Sequence, residues 1–163
     1  MSFEITGSDE AKREALRRWT IERRRARRLA MIVVFAHIHT KYPFAEIELL
    51  VSEMAQGWRS FPPFAKELIR TVEQKKPQLE AELQQVLEHW KLERIGKVEH
   101  ALLLLGAAEI ASFPNIPPRV TINEYIEISK KYCDEETPGF INGVLDKITK
   151  LHGKRDFYVR PPA

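Results

Sequence analysis

Between residues 12 and 28 the chain carries nine basic side chains (Lys12, Arg13, Arg17, Arg18, Arg23, Arg24, Arg25, Arg27 and Arg28) against Glu14 and Glu22. Guanidinium groups are planar, permanently charged and fork-shaped, which suits two-point hydrogen bonding to phosphate oxygens. This run holds +7 and residues 1–11 hold −3, while the whole 163-residue chain reaches only +3. The cationic character belongs to one arm, and the chemistry it offers is contact with a polyanion. Arg23/Arg27 and Arg24/Arg28 are like-charge neighbours at i, i+4, each costing a helix about 0.2–0.5 kcal/mol. A phosphate backbone would remove that repulsion. A solvated basic face or contact with an acidic membrane are the competing readings. If five arginines neutralise phosphates on single-stranded RNA, log K falls against log salt with a slope of about −3.5, or about 100-fold for a fourfold rise in salt. That term is blind to base sequence, which is read by stacking and base-edge contacts. Trp19 and Phe35 flank the arginines and could stack on bases or pack into the protein.

Other chemistry is sparse. The sequence has no G-x-x-x-x-G-K-[ST] phosphate loop and no G-x-G-x-x-G turn. Cys133 is the single cysteine and has no histidine near it in sequence, which disfavours a nucleophile and rules out an internal disulfide. His37 and His39 are two apart, so a helix points them about 200° from one another and away from a shared metal. Glu109 sits deep in an apolar run, where a carboxylate needs partners or a raised pKa. A structural acid hydrogen-bonded to a neighbouring helix end is the expectation there, ahead of catalysis. No catalytic residue, metal or cofactor is expected.

The elements that must hold these residues read as helical throughout. A length near 150 residues buries about 68–70% of the unfolded surface, enough for one core. No run reaches 18 uncharged apolar residues, and the acidic start lacks a secretory leader's apolar stretch, so a cytoplasmic protein is expected. Leu29, Ile32, Val33 and Ala36 give the first helix an apolar face, ending before Pro43. Pro43 opens a second helix with Ile47, Leu50, Val51 and Met54 inward and Gly57 as its stop. Pro62-Pro63 opens a third, with Phe64, Leu68, Ile69 and Val72, and Pro77 a fourth, with Leu79, Leu83, Val86 and Leu87. From about Leu92 to Ala111 the chain is apolar on almost every side, which marks the central element. Thr121 and Glu124 form a T-x-x-E capping box, with Val120 and Tyr125 as its hydrophobic staple and Ile122, Ile126 and Ile128 available for burial. Thr137 caps a last helix carrying Pro138, Phe140, Ile141, Val144, Leu145 and Ile148, ended by Gly153. The expectation is an all-α, single-domain bundle of about seven helices. A basic extension over residues 1–22, disordered in part, precedes a helical domain over 23–152, and a loose tail covers 153–163.

Four of these segments also resemble the NusB family. R-A-R-R-L-A at Arg25–Ala30, with Val34-Phe35 after it, is similar to the family's opening helix. W-K-L-E-R-I-G-K-V-E at Trp90–Glu99, leading to A-A-E-I at Ala107–Ile110, resembles its central helix. V-T-I-N-E-Y-I-E-I at Val120–Ile128 matches its "INE" segment, and F-I-N-G-V-L-D at Phe140–Asp146 its F-V-N-G-V-L-D motif. The four follow the family's order. The resemblance implies a seven-helix bundle that binds boxA-type RNA, pairs with the ribosomal protein NusE, joins the RNA polymerase antitermination complex and suppresses termination in ribosomal RNA operons. The expected RNA contacts are Arg23, Arg24, Arg25, Arg27, Arg28, Phe35, Arg119 and Phe140, and the expected partner contacts are Glu99, Glu136 and Phe140. Asn142 is expected to anchor backbone within its helix.

Three departures from the family pattern stand out. Leu104 occupies a position where many relatives carry arginine, Pro138-Gly139 replaces a polar or basic pair, and Phe35 replaces a common tyrosine. The 20 or so residues before the arginine cluster are expected to enlarge the RNA footprint and to compensate for Leu104. Certain RNA methyltransferases carry a NusB-like domain, but no cofactor-binding α/β segment follows in this sequence. A helical protein-interaction module without sequence-specific RNA binding is the alternative.

Overall fold

The computed structural model describes residues 7–54 and 61–156, which form six α-helices and one 3-10 turn. In chain order they are α1 (Gly7–Thr40), α2 (Phe44–Met54), α3 (Pro63–Val86), the 3-10 turn Leu92–Arg94, α4 (Lys97–Ser112), α5 (Pro118–Tyr132) and α6 (Thr137–Leu151). None of the described helices is long and apolar enough to cross a membrane.

The core is organised around α4. All ten residues from Ala101 to Ile110 are buried. A helix without a polar face gains nothing from solvent contact, and α1, α3, α5 and α6 all pack against it. It begins later than the apolar run suggested. Leu92 is buried from the 3-10 turn, and Gly96 then serves as the N-cap of α4. The Glu99 side chain folds back over that cap, so a Cβ at position 96 would collide with its carboxylate.

Six helices stand where about seven were expected, because the third and fourth are one. Helix α3 runs unbroken through Pro77. An interior proline removes one backbone hydrogen bond and costs about 3 kcal/mol. The offset is a single buried stripe that crosses it, with Leu68, Ile69 and Val72 before and Leu79 and Leu83 after. Pro77 itself is exposed on the outer side.

Other expectations shift by a turn or a face. Helix α1 begins at Gly7, so the described part of the N-terminal extension is helical and continuous with the basic cluster. Ile32 is exposed, and the buried face of α1 is instead Ala26, Leu29, Ala30, Met31, Val33 and Val34. On α2, Phe44 and Ile47 are buried while Leu50 and Met54 face outward, because this short helix packs chiefly on α1. Its expected stop, Gly57, lies outside the described residues, as does the tail beyond 156.

The capping box at Thr121 does not form. Proline fixes φ near −65° and has no N–H to satisfy, so the chain starts α5 earlier, at Pro118 after Pro117 (φ −61°, ψ 140°). Val120 is consequently exposed rather than stapled to Tyr125. Thr121 falls inside the first turn, buried, with its hydroxyl turned into the core. At α6 the cap residue is Glu136; Thr137 is already helical and buried, and Pro138 occupies the first turn as the sequence implies. Ile122, Ile128, Ile141, Val144, Leu145 and Ile148 are buried.

Candidate nucleic-acid interface

The five clustered arginines occupy different environments because a helix turns about 100° per residue. Arg27 points inward. Its Nε donates to Glu109 Oε2 at 3.0 Å and its Nη2 to Glu109 Oε1 at 2.8 Å. Thr121 Oγ1 donates to the same Oε1 at 3.1 Å. The Glu109 side chain is fully buried and that of Arg27 only 4% exposed. Burial pulls the Arg27 pKa down, but hydrogen bonding and charge from Glu109 outweigh it and hold the guanidinium above its ordinary value. Tyr125 lies fully buried beside this pair; burial, then the Glu109 charge, push its phenol well above the usual range. Glu109 is the expected structural acid, satisfied by one side chain from mid-α1 and one from the start of α5. The expectation that Arg27 contacts RNA is corrected by this geometry: its guanidinium is buried in the core and paired with Glu109.

Arg23 is half-buried against aromatic faces. Its guanidinium carbon lies 3.7 Å from the Phe64 ring centroid and 4.8 Å from that of Trp19, and desolvation, then the Arg27 charge, lower its pKa. Arg25 is likewise half-buried. Arg24 and Arg28 line an open groove between α1 and α5 of about 300 Å³, together with Glu124, Glu127, Ile128 and Lys131. Arg24 Nε lies 3.3 Å from Glu124 Oε1, and the Arg24 side chain is 57% exposed. Glu127 faces solvent and pairs with Lys130 at 2.8 Å; that hydrogen bond and charge lower its pKa. The groove offers three cations, Arg24, Arg28 and Lys131, with one acid already engaged by the first.

Sequence reasoning missed Lys131 and both acids of this groove. They lie about a hundred residues from Arg24, and only the i, i+3, i+7 spacing of Glu124, Glu127 and Lys131 puts them on one face of α5.

The remaining expected residues lie elsewhere. Arg119 is exposed in the first turn of α5, where its backbone N–H donates to Asp156 Oδ1 at 3.0 Å. Phe35 is half-buried on α1 and stacks on His39 with ring centroids 6.0 Å apart and planes within 4°. Phe140 is half-buried and lines a separate groove of about 240 Å³ with Leu87, Trp90, Gly139, Gly143 and Val144. Asn142 is exposed on α6. Glu136 is exposed at the α6 cap, and Glu99 is half-buried beside Cys133. Burial, then Glu99, push the Cys133 thiol up to about 12, which removes thiolate character. Leu104 is wholly buried in α4, so that position faces the core and calls for no compensation by the extension. The two grooves share no lining residue. Among the described residues no group of three His, Cys, Asp or Glu side chains could hold a metal ion.

The NusB family model matches residues 24–150, which begins at Arg24 and ends near the close of α6. The transcription antitermination protein NusB of Desulfitobacterium hafniense is 44% identical over 94 residues, covering 58% of this chain and 64% of that protein. The chain thus spans slightly less than two thirds of that relative. Among solved structures, NusB of T. maritima superposes with a TM-score of 0.70 at 30% identity, over 80% of this chain and 92% of that one. A structure of the antitermination factors NusB and NusE in complex with double-stranded RNA gives a TM-score of 0.70 at 27% identity, over 80% and 97%. With the family model spanning most of the helical bundle from Arg24 onward, the chain belongs to the NusB family.

Proposed function

We propose that this chain is an RNA-binding transcription antitermination factor, without catalytic activity, acting in the cytoplasm. In this reading it binds boxA-type single-stranded RNA together with NusE and joins the RNA polymerase antitermination complex to keep transcription of ribosomal RNA operons processive. The observation that carries the reading is the α1–α5 groove, where Arg24, Arg28 and Lys131 gather on a body whose charge is otherwise balanced. The solved assembly of NusB and NusE with RNA supports NusE and RNA as the partner classes; the RNA in that structure is double-stranded, and the single-stranded boxA-type form is part of this reading. Arg24, Arg28 and Arg119 are exposed or groove-lining cations suited to phosphate. Half-buried Arg23 and Arg25 are assigned to the RNA as neighbours of these cations in sequence, and half-buried Phe35 and Phe140 are the aromatics assigned to base or partner contact. Glu99 and Glu136 are the acids assigned to NusE.

The deciding experiment is a titration of labelled boxA-like RNA, its scrambled counterpart and a duplex, each with and without NusE. Preference for the boxA-like strand, strengthened by NusE, is expected. Equal and feeble binding to all three would overturn the reading in favour of a helical protein-interaction module.

A further inference from the structure

Helix α1 is longer than the bundle it belongs to. From Gly7 to Glu22 every residue is exposed except half-buried Thr20, and the buried residues of α1 begin at Ala26. The overhang lies outside the matched family region, which starts at residue 24.

Its charges are not spread evenly around the helix. At about 100° per residue, Arg13, Arg17, Arg24 and Arg28 fall within about 60° of one another on a single stripe. The last two are the cations of the α1–α5 groove. The first two therefore prolong that groove's charged edge along an unbroken helix, giving a line about 22 Å long from position 13 to position 28. Lys12 and Arg18 lie about 120° off the stripe, on either side of it. Trp19 lies within about 20° of Lys12, on the same side of the helix, and Arg23 is held between its ring and that of Phe64. That stack ties the base of the overhang to α3, so the arm leaves the bundle in a defined direction. Arg13/Arg17 and Arg24/Arg28 are both like-charge pairs at i, i+4, a spacing that is unfavourable until a counter-anion arrives.

We propose that Arg13 and Arg17 form a second phosphate-binding station, continuous with the Arg24/Arg28 groove, that holds the backbone of the same RNA strand beyond the family's own footprint. The proposal rests on the RNA-binding reading above. The occupant is a nucleic acid strand because the stripe offers four permanent cations in a line, with Glu10 on the same axis only at its far end and Asp9, Glu14 and Glu22 off it.

The test compares two full-length variants with equal charge loss, Arg13→Ala/Arg17→Ala and Lys12→Ala/Arg18→Ala, using a boxA-like RNA extended by about ten nucleotides at either end. The stripe variant should lower the salt slope of binding by about 1.4, from two lost phosphate contacts at about 0.7 each, and the off-stripe variant by less than half of that. Equal effects of the two variants would overturn the proposal in favour of a diffuse charge effect, and so would an unchanged slope in the stripe variant. Arg24→Glu/Arg28→Glu in parallel separates the two levels. If that variant loses RNA while the stripe variant does not, the station fails and the RNA-binding reading stands. If neither variant differs from wild type, both fall.

Discussion

Arg27 and Glu109 form a two-point ion pair inside the bundle, at 3.0 and 2.8 Å, 82 residues apart in the chain. It joins the middle of α1 to the central helix, and Thr121 on α5 completes the carboxylate's coordination. Removing one member of a buried pair strands the other charge and costs about 3–5 kcal/mol, whereas replacing both with apolar groups is often neutral or stabilising. Arg27→Met should therefore lower stability by about 3–5 kcal/mol, and Arg27→Met/Glu109→Leu should recover most of the loss. Urea-unfolding midpoints and slopes measure both. A cost under about 1 kcal/mol for Arg27→Met would mean that this arginine is solvated, and would return it to the list of RNA contacts.

The approach of α6 to α4 gives a second prediction. A Cβ at Gly106 would lie 2.6 Å from Leu145 Cδ1 and 2.8 Å from Cδ2. Leu145 is fully buried and cannot swing into solvent. Overfilling such a site costs about 1–3 kcal/mol, so Gly106→Ala should destabilise even though alanine favours helix. Leu145→Val should relieve the clash, making the double variant less damaged than the two single costs added together. Strict additivity in thermal or urea melts would contradict the close packing.

Particular residues show how far the sequence could be read. Helix content and the central place of α4 were legible, because ten consecutive positions from Ala101 to Ile110 leave no polar face for water. Pro77 and Thr121 misled, each for a physical reason. A proline marks a helix start only where the apolar residues on its two sides fail to form one stripe, and here Val72 stays in register with Leu79 and Leu83. Thr121 obeys the capping rule locally, but Pro117-Pro118 upstream starts the helix first and Glu109 claims its hydroxyl. In the site, composition located the arginine cluster without saying which members face outward. Arg27 turns inward because Glu109, far along the chain, is there to receive it, and no local spacing reports that partner.

Acid should weaken the bundle at His100. Desolvation lowers its pKa below the ordinary 6.5, with Glu80 acting in the opposite direction from 3.2 Å and Lys76 and Lys41 reinforcing the fall. A base that holds its proton less tightly when folded favours unfolding once the unfolded chain protonates. Its contribution is intact above about 6.5 and is lost as pH falls through that value toward the folded pKa. Wild type should therefore lose thermal stability between pH 7.5 and 5.5 more steeply than His100→Gln. Parallel Tm curves for the two proteins would show that the histidine is not the cause.

The groove between α1 and α5 carries its own competitor for RNA. Arg24 is held by Glu124 at 3.3 Å, and a phosphate must displace or share that carboxylate. The pair is exposed on the arginine side, so it is worth at most about 1 kcal/mol to the fold. Glu124→Gln should leave the melting curve almost unchanged while freeing Arg24. It should tighten RNA binding at low salt by up to about fivefold, since about 1 kcal/mol corresponds to that factor. The salt slope should steepen by about 0.7, as one more cation takes a phosphate. Arg24→Glu/Arg28→Glu should do the reverse, weakening binding while helicity by circular dichroism stays at the wild-type level. Should Glu124→Gln bind RNA no better than wild type while the reversed-charge variant fails, Arg24 reaches phosphate with its acid still attached, and the groove binds RNA without opening that pair.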